Sequence, residues 1–210
     1  MNVTLINLWD KGGMIHYSSQ LANALAKTEN VTVIVPKGSN MDLFDDEVAI
    51  KTISMTTKFT VKSFLPFLKD LAQLRAFLFM VQGTRPDVIH INSNHPFLYL
   101  ALPFLSKNHK IFATIHDAYP HPGDRSIKIL SVIISSRYSQ KIFVHGSNIK
   151  KYLVEKLYCQ EKKIEIIPHG DYSFFYKWKD SSISDIQQPN RHFFYQLIYG
   201  KHRFRSLTLR

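Results

Sequence analysis

Apolar residues fall in short runs separated by polar breaks, and the runs alternate between two periods. Residues 3–8, 31–35, 88–91, 111–115, 141–144 and 164–167 are short apolar runs, most of them closed by Gly, Pro, Asn or Ser. Runs of that length predict strands buried on both faces of a parallel sheet. Residues 48–53 alternate in the manner of an edge strand. Between the runs the period becomes helical. Residues 14–27 carry a stripe of Ile15, Leu21, Ala22, Leu25 and Ala26, and 62–82 form a long apolar helix with a kink expected at Pro66. Residues 97–105 are apolar on all sides, which predicts a short buried helix. In 126–138 the pattern turns Ile127, Leu130, Ile133 and Ile134 inward, and 149–158 is a helix that Ser147 or Asn148 can cap. Strand and helix in alternation along most of the chain predict an α/β fold, a Rossmann-like parallel sheet with helices on both faces.

Composition narrows the setting. A chain of 210 residues with 13% aromatics can bury one substantial core, with room for the start of a second domain. The single cysteine, Cys159, excludes an internal disulfide and fits a reducing compartment. The opening residues, MNVTLINLWD, lack the basic start of a signal peptide. Residues 64–81, the most apolar long segment, are interrupted by Lys69, Asp70, Gln73 and Arg75, so no spanning helix is expected. The expected location is the cytoplasm, at the inner membrane face if the basic patches act there. The formal net charge is +11, and five of those charges, Arg191, Lys201, Arg203, Arg205 and Arg210, lie in the last twenty residues without an acid. Lys150, Lys151, Lys156, Lys162 and Lys163 form a second cluster. Such patches suit phosphate-bearing partners, including an anionic membrane surface; a solvated helix face is the plainer account of either patch alone. The basic residues do not fall within an aromatic-bearing sheet or a recognition helix, so nucleic acid is not an expected partner.

The candidate chemistry gathers where strands end. Residues 110–125, KIFATIHDAYPHPGDR, run from an apolar strand directly into His116 and Asp117 and then a loop of His, Pro, Gly and Asp. Three further strands carry histidine at or near the same end: His90, His145 and His169. In open α/β sheets the carboxyl ends of the strands border the ligand crevice, so this spacing collects imidazoles around one cleft. Each histidine alone could equally be a satisfied core residue, and the repetition carries the argument. No His-x-x-x-His helix or Cys-rich spacing occurs, so neither a metal site nor a resident cofactor is expected. Gly12 and Gly13 separate the first strand from the first helix, where backbone N–H groups can approach a phosphate or sugar hydroxyl.

The succession of Gly12-Gly13, PDVIHINS, FATIHD, KIFVHGSNIKKYL and IEIIPHGDYSFF resembles the N-terminal domain of GT-B fold glycosyltransferases of the family 4 type, over residues 1–175. The resemblance implies that this half binds mainly the acceptor, a glycan or lipid-linked molecule of the cell envelope, and that another half binds a nucleotide-sugar donor. It implies that Gly12 and Gly13 approach the donor phosphate or the transferred sugar. By the same carry-over His116 contacts that sugar, with Asp117 beside it as the second catalytic candidate. His145, Ser147, His169 and Gly170 line the crevice. The resemblance further implies a retained anomeric configuration and catalysis that, in this type of family member, usually needs no metal.

After residue 175 the match fades. Residues 176–210 read as an interdomain connection followed by HFFYQLIYGK, which resembles the first strand of a second domain, and then by HRFRSLTLR. The family's pair of glutamates eight residues apart does not occur. The expectation is a truncated transferase, from a frameshift near residues 190–200, inactive alone, with a poorly ordered tail from about residue 181. The alternative is a non-catalytic acceptor-binding or membrane-docking subunit completed by a separate donor-binding chain.

Overall fold

The structure is a computed structural model that describes residues 1–10, 12–55, 71–93, 95–118 and 127–167. The strands are β1 (Asn2–Ile6), β2 (Asn30–Pro36), β3 (Ala49–Ile53), β4 (Val88–Ile91), β5 (Lys110–Ile115), β6 (Lys141–Val144) and β7 (Ile164–Ile166). They form one sheet in the order β3-β2-β1-β4-β5-β6-β7, and every neighbouring pair is parallel. The order reverses between β1 and β4. In open parallel sheets the carboxyl ends of the two strands at such a reversal border the ligand crevice.

Alternation along the strands divides the core. Val3 and Leu5 of β1 with Val31, Val33 and Val35 of β2 face helix α1 (Gly13–Ala26), which adds Ile15 and Ala22. Ile6, Ile34, Ile89, Ile91 and Ile111 point the other way. They meet α2 (Leu74–Gln82) through Phe77 and Val81, and α3 (Pro96–Asn108) through Phe97, Leu98, Ala101 and Leu102. Phe77 and Phe97 pack edge to face with ring centroids 5.2 Å apart, and both are fully buried. Burying each such ring stabilises the fold by about 1.5–3 kcal/mol. A third cluster, with Ile115, Ile142, Val144 and Ile164, is closed by Val132 of α4 (Ile127–Tyr138) and Leu153 of α5 (Ser147–Leu157). The expected parallel sheet with helices on both faces is therefore the observed architecture.

Several local expectations give way to tertiary structure. Neither Ser147 nor Asn148 caps α5: Gly146 holds the N-cap position in extended backbone, and Ser147 is already the first helical residue. Leu130 and Ile133, expected inward, are exposed on α4, because Val132 takes the core position there. The helix over 97–105 is not buried all round, since Leu100 and Phe104 face outward. Of the long helix expected over 62–82, Leu74–Gln82 is helical, and residues 62–70, including Pro66, lie outside the described residues. So do the loop 119–126, the tail from 168 onward and the strand expected over 193–199.

Candidate active site at the carboxyl edge of the sheet

The loop after β1 is fixed before it reaches the glycines. Ser93, just past β4, accepts a hydrogen bond at 2.9 Å from the Leu8 backbone N–H, and both residues are buried. Asn7 donates to the Trp9 carbonyl and accepts from the Trp9 N–H, both at 3.2 Å. The Trp9 ring packs on His95 at 5.2 Å, and His95 Nδ1 accepts from the Phe97 N–H to cap α3. The two loops that part at the switch point are thus tied to each other by one hydrogen bond, Leu8 to Ser93, and one ring contact, Trp9 on His95.

Gly12 then adopts φ +77°, a conformation that suits glycine, and α1 begins at Gly13. No side chain caps this helix, and its first turn holds no acid. Among the described residues, a Cβ built at either glycine meets nothing within 4 Å, which leaves room above the start of the helix. The helix dipole makes that space favourable to anionic or hydroxyl oxygen.

One turn into α1, Tyr17 reaches over the sheet. Its ring lies 4.4 Å from that of His116, nearly perpendicular at 87°, and 5.3 Å from that of His145. His116 and His145 are themselves 4.9 Å apart. Register explains the meeting: Thr114 of β5 pairs with Phe143 of β6, so His116 and His145, two residues on in each chain, project from adjacent strands on one face. His145 Nδ1 donates to the Ile167 carbonyl at 3.2 Å, which fixes its tautomer and ties the end of β6 to the residue after β7.

Beneath this cluster runs a buried polar chain. The Tyr17 hydroxyl bonds to that of Thr114, and Thr114 Oγ1 lies 2.8 Å from His90 Nε2. Burial pushes the Tyr17 phenol above its usual range, with the Thr114 bond opposing that shift. Burial lowers His90 to about 4, so it is neutral at physiological pH. His16, next to Tyr17, is lowered by burial as well.

Of the histidines expected to share the crevice, His116 and His145 come together. His90 lies one layer down, bonded to Thr114 rather than lining the cleft, because it sits inside β4 in register with Phe112, whereas His116 and His145 follow the last residues of their strands. His169 and Gly170 lie outside the described residues. Asp117 follows His116 and is half-buried, and Ser147 is exposed at the start of α5. The hydrophobic pattern passes over Tyr17 and Thr114. A polar aromatic four residues after Gly13 stands on the same helical face one turn away, and Thr114 precedes His116 by one strand repeat; these spacings are the available signals. Among the described residues, no group of three or more His, Cys, Asp or Glu side chains is arranged to hold a metal ion.

Comparison with known proteins agrees with this architecture. Solved structures share the fold: Anabaena HepE in complex with UDP and glucose aligns with a TM-score of 0.59 at 13% identity, over 84% of this chain and 46% of HepE. A glycosyltransferase from Rickettsia africae aligns with a TM-score of 0.58 at 20% identity, over 83% of this chain and 44% of its own. The UDP-GlcNAc 2-epimerase of Methanocaldococcus jannaschii gives 0.60 at 13% identity, over 80% and 45%. The chain spans less than half the length of each of these relatives. No curated protein is significantly similar in sequence. The family model for Glycosyltransferase Family 4 matches residues 11–170, from the turn before α1 to the segment just past β7. With most of the sheet inside that match, the chain belongs to Glycosyltransferase Family 4.

Proposed function

We propose that residues 1–175 form the acceptor-side half of a retaining glycosyltransferase, and that a donor-binding half contributed beyond these residues, or by a second chain, completes the cleft. The observation that carries this reading is the meeting of α1's glycine start, through Tyr17, with His116 and His145 at one sheet edge. In the reaction proposed, the bond between the sugar's anomeric carbon and the diphosphate of a nucleotide sugar breaks. A new bond forms to an acceptor hydroxyl on the same face, and that hydroxyl gives its proton to an oxygen of the departing diphosphate. Positive charge develops on the sugar while negative charge grows on the departing phosphate.

The residues take roles that fit those charges. The uncapped N–H groups at Gly12 and Gly13 approach the phosphate or the sugar hydroxyls, where the positive helix end is useful. His116 hydrogen-bonds the transferred sugar and holds its ring in line, with Asp117 alongside. His145 and Ser147 line the wall toward the second half, and the family reading gives His169 and Gly170 a substrate-binding role as well. HepE, crystallised with UDP-glucose, supports a nucleotide-sugar donor as the general class; an envelope glycan or lipid-linked acceptor follows from the family reading.

The test is a transfer assay. The purified 210-residue chain, incubated with labelled nucleotide sugars and envelope membranes, is expected to transfer no sugar, and to gain transfer when co-expressed with a donor-binding Rossmann-like half. Turnover by the chain alone would contradict this division of labour.

A further inference from the structure

On the face of the sheet away from α1, helices α2, α3 and α4 pack side by side, and their outward stripe is apolar where a solvated surface would be polar. Phe79 is 59% exposed, Phe104 52%, Leu130 51%, Leu100 42% and Ile133 41%. Large apolar side chains scattered singly need no explanation, but here they share three neighbouring helices. The charge pattern is equally one-sided: none of the three helices contains an Asp or Glu, and among the described side chains the exposed ionic groups are Arg75, Lys107 and Arg137. The Arg75 guanidinium lies 5.6 Å above the Phe79 ring, and Lys107 Nζ lies 5.9 Å from that of Phe104. Because α3 and α4 each join adjacent parallel strands, they run in the same direction, so Lys107 and Arg137 mark the same end of the patch. Between α2 and α3 a shallow groove of about 370 Å³ is walled by Leu78 and Phe104, with Lys107 and His109 at its rim.

We infer that this three-helix face docks on an anionic lipid bilayer, with Phe79, Leu100, Phe104, Leu130 and Ile133 entering the interface and Arg75, Lys107 and Arg137 meeting lipid phosphates. The complementarity of an acid-free, cation-edged apolar face selects this occupant. A protein partner would need matching acidic groups, and a second copy of the same face would set like charges against each other. Arginine and lysine stems lie along apolar surface while their heads reach outward, as the two ring contacts already show. Among the described residues no helix is long and apolar enough to cross a membrane, so the attachment is to the surface. The inference stands independently of the proposed transferase role.

The experiment is co-sedimentation of the full 210-residue chain with vesicles of phosphatidylcholine alone or with 30% phosphatidylglycerol (about 30%, enough to set a negative surface potential). Wild type is expected to partition onto the anionic vesicles and to weaken as salt rises. The Phe79→Ser/Phe104→Ser/Ile133→Ser variant removes exposed rings and one exposed aliphatic group and leaves the core intact. With an unchanged circular dichroism spectrum and melting midpoint, it is expected to lose at least about tenfold in partitioning. Arg75→Ser/Lys107→Ser/Arg137→Ser is expected to abolish the preference for anionic over neutral vesicles. Equal binding by wild type and the Phe79/Phe104/Ile133 variant would overturn the inference, pointing to the basic stretch 191–210 instead. So would the absence of vesicle binding, or self-association of wild type that the same variant abolishes.

Discussion

Replacing His116 by alanine is expected to lower kcat for sugar transfer by about a hundredfold to a thousandfold, measured with a donor-binding half present. The argument runs from placement to charge. His116 leaves β5 at the edge of the crevice, its ring is held by Tyr17 at 4.4 Å and by His145 at 4.9 Å, and α1 starts one turn from Tyr17. In the proposed role its imidazole contacts the transferred sugar most strongly as the glycosidic bond loosens. An interaction stronger in the transition state than in the ground state appears in kcat, with KM little changed. Tyr17→Phe keeps the ring contacts and is expected to cost far less than His116→Ala. An unchanged kcat in His116→Ala would remove this residue from the machinery.

The fold itself is expected to lose about 3 kcal/mol of stability between pH 7 and pH 4 through His90 alone. His90 is 7% exposed and bonded to Thr114, and burial lowers its pKa to about 4 from an ordinary 6.5. Above the ordinary value both the folded and the unfolded chain leave this imidazole neutral, so its contribution is fully present. As the pH falls from about 6.5 towards 4, the unfolded chain takes up a proton that the folded chain refuses, and stability declines across that window. Urea melts at a series of pH values would show it as a falling midpoint. His90→Gln places an amide nitrogen near the Nε2 position and carries no titrating group, so the same series is expected to be flatter. An equally steep acid limb in His90→Gln would assign the loss to other groups. Thr114→Val, which deprives both Tyr17 and His90 of a buried partner, is expected to cost about 1–3 kcal/mol at pH 7.

Strand runs such as 31–35 and 111–115 are legible in the sequence because a parallel strand covered on both faces must be apolar at nearly every position. Their polar terminators also point to the sheet edge where His116 and His145 meet. What the pattern does not carry is direction around a helix packed among neighbours. Residues 97–105 and 126–138 are apolar on several sides, so periodicity cannot say which side faces out, and the outward faces of Leu100, Phe104, Leu130 and Ile133 emerge only once the helices are placed. Tyr17 escapes for a related reason. Its role depends on reaching from α1 to two strands more than ninety residues later in the chain, a contact no local window contains. The histidine repeat is half right for a geometric cause, since His90 lies inside β4 in register with Phe112, four positions short of His116, and so sits beneath the site rather than in it.

The central claim, that α1's start and the His116–His145 pair form one sugar-binding wall, is tested most directly by nuclear magnetic resonance of the labelled chain titrated with a panel of nucleotide hexoses and free hexoses to millimolar concentration. The account predicts that for at least one of them the amide of Gly13 and the ring signals of Tyr17, His116 and His145 shift together along a single binding curve, while signals from α2 and α3 stay fixed. Signals at these four residues that remain still across the whole panel, or that move with unrelated curves, would contradict it.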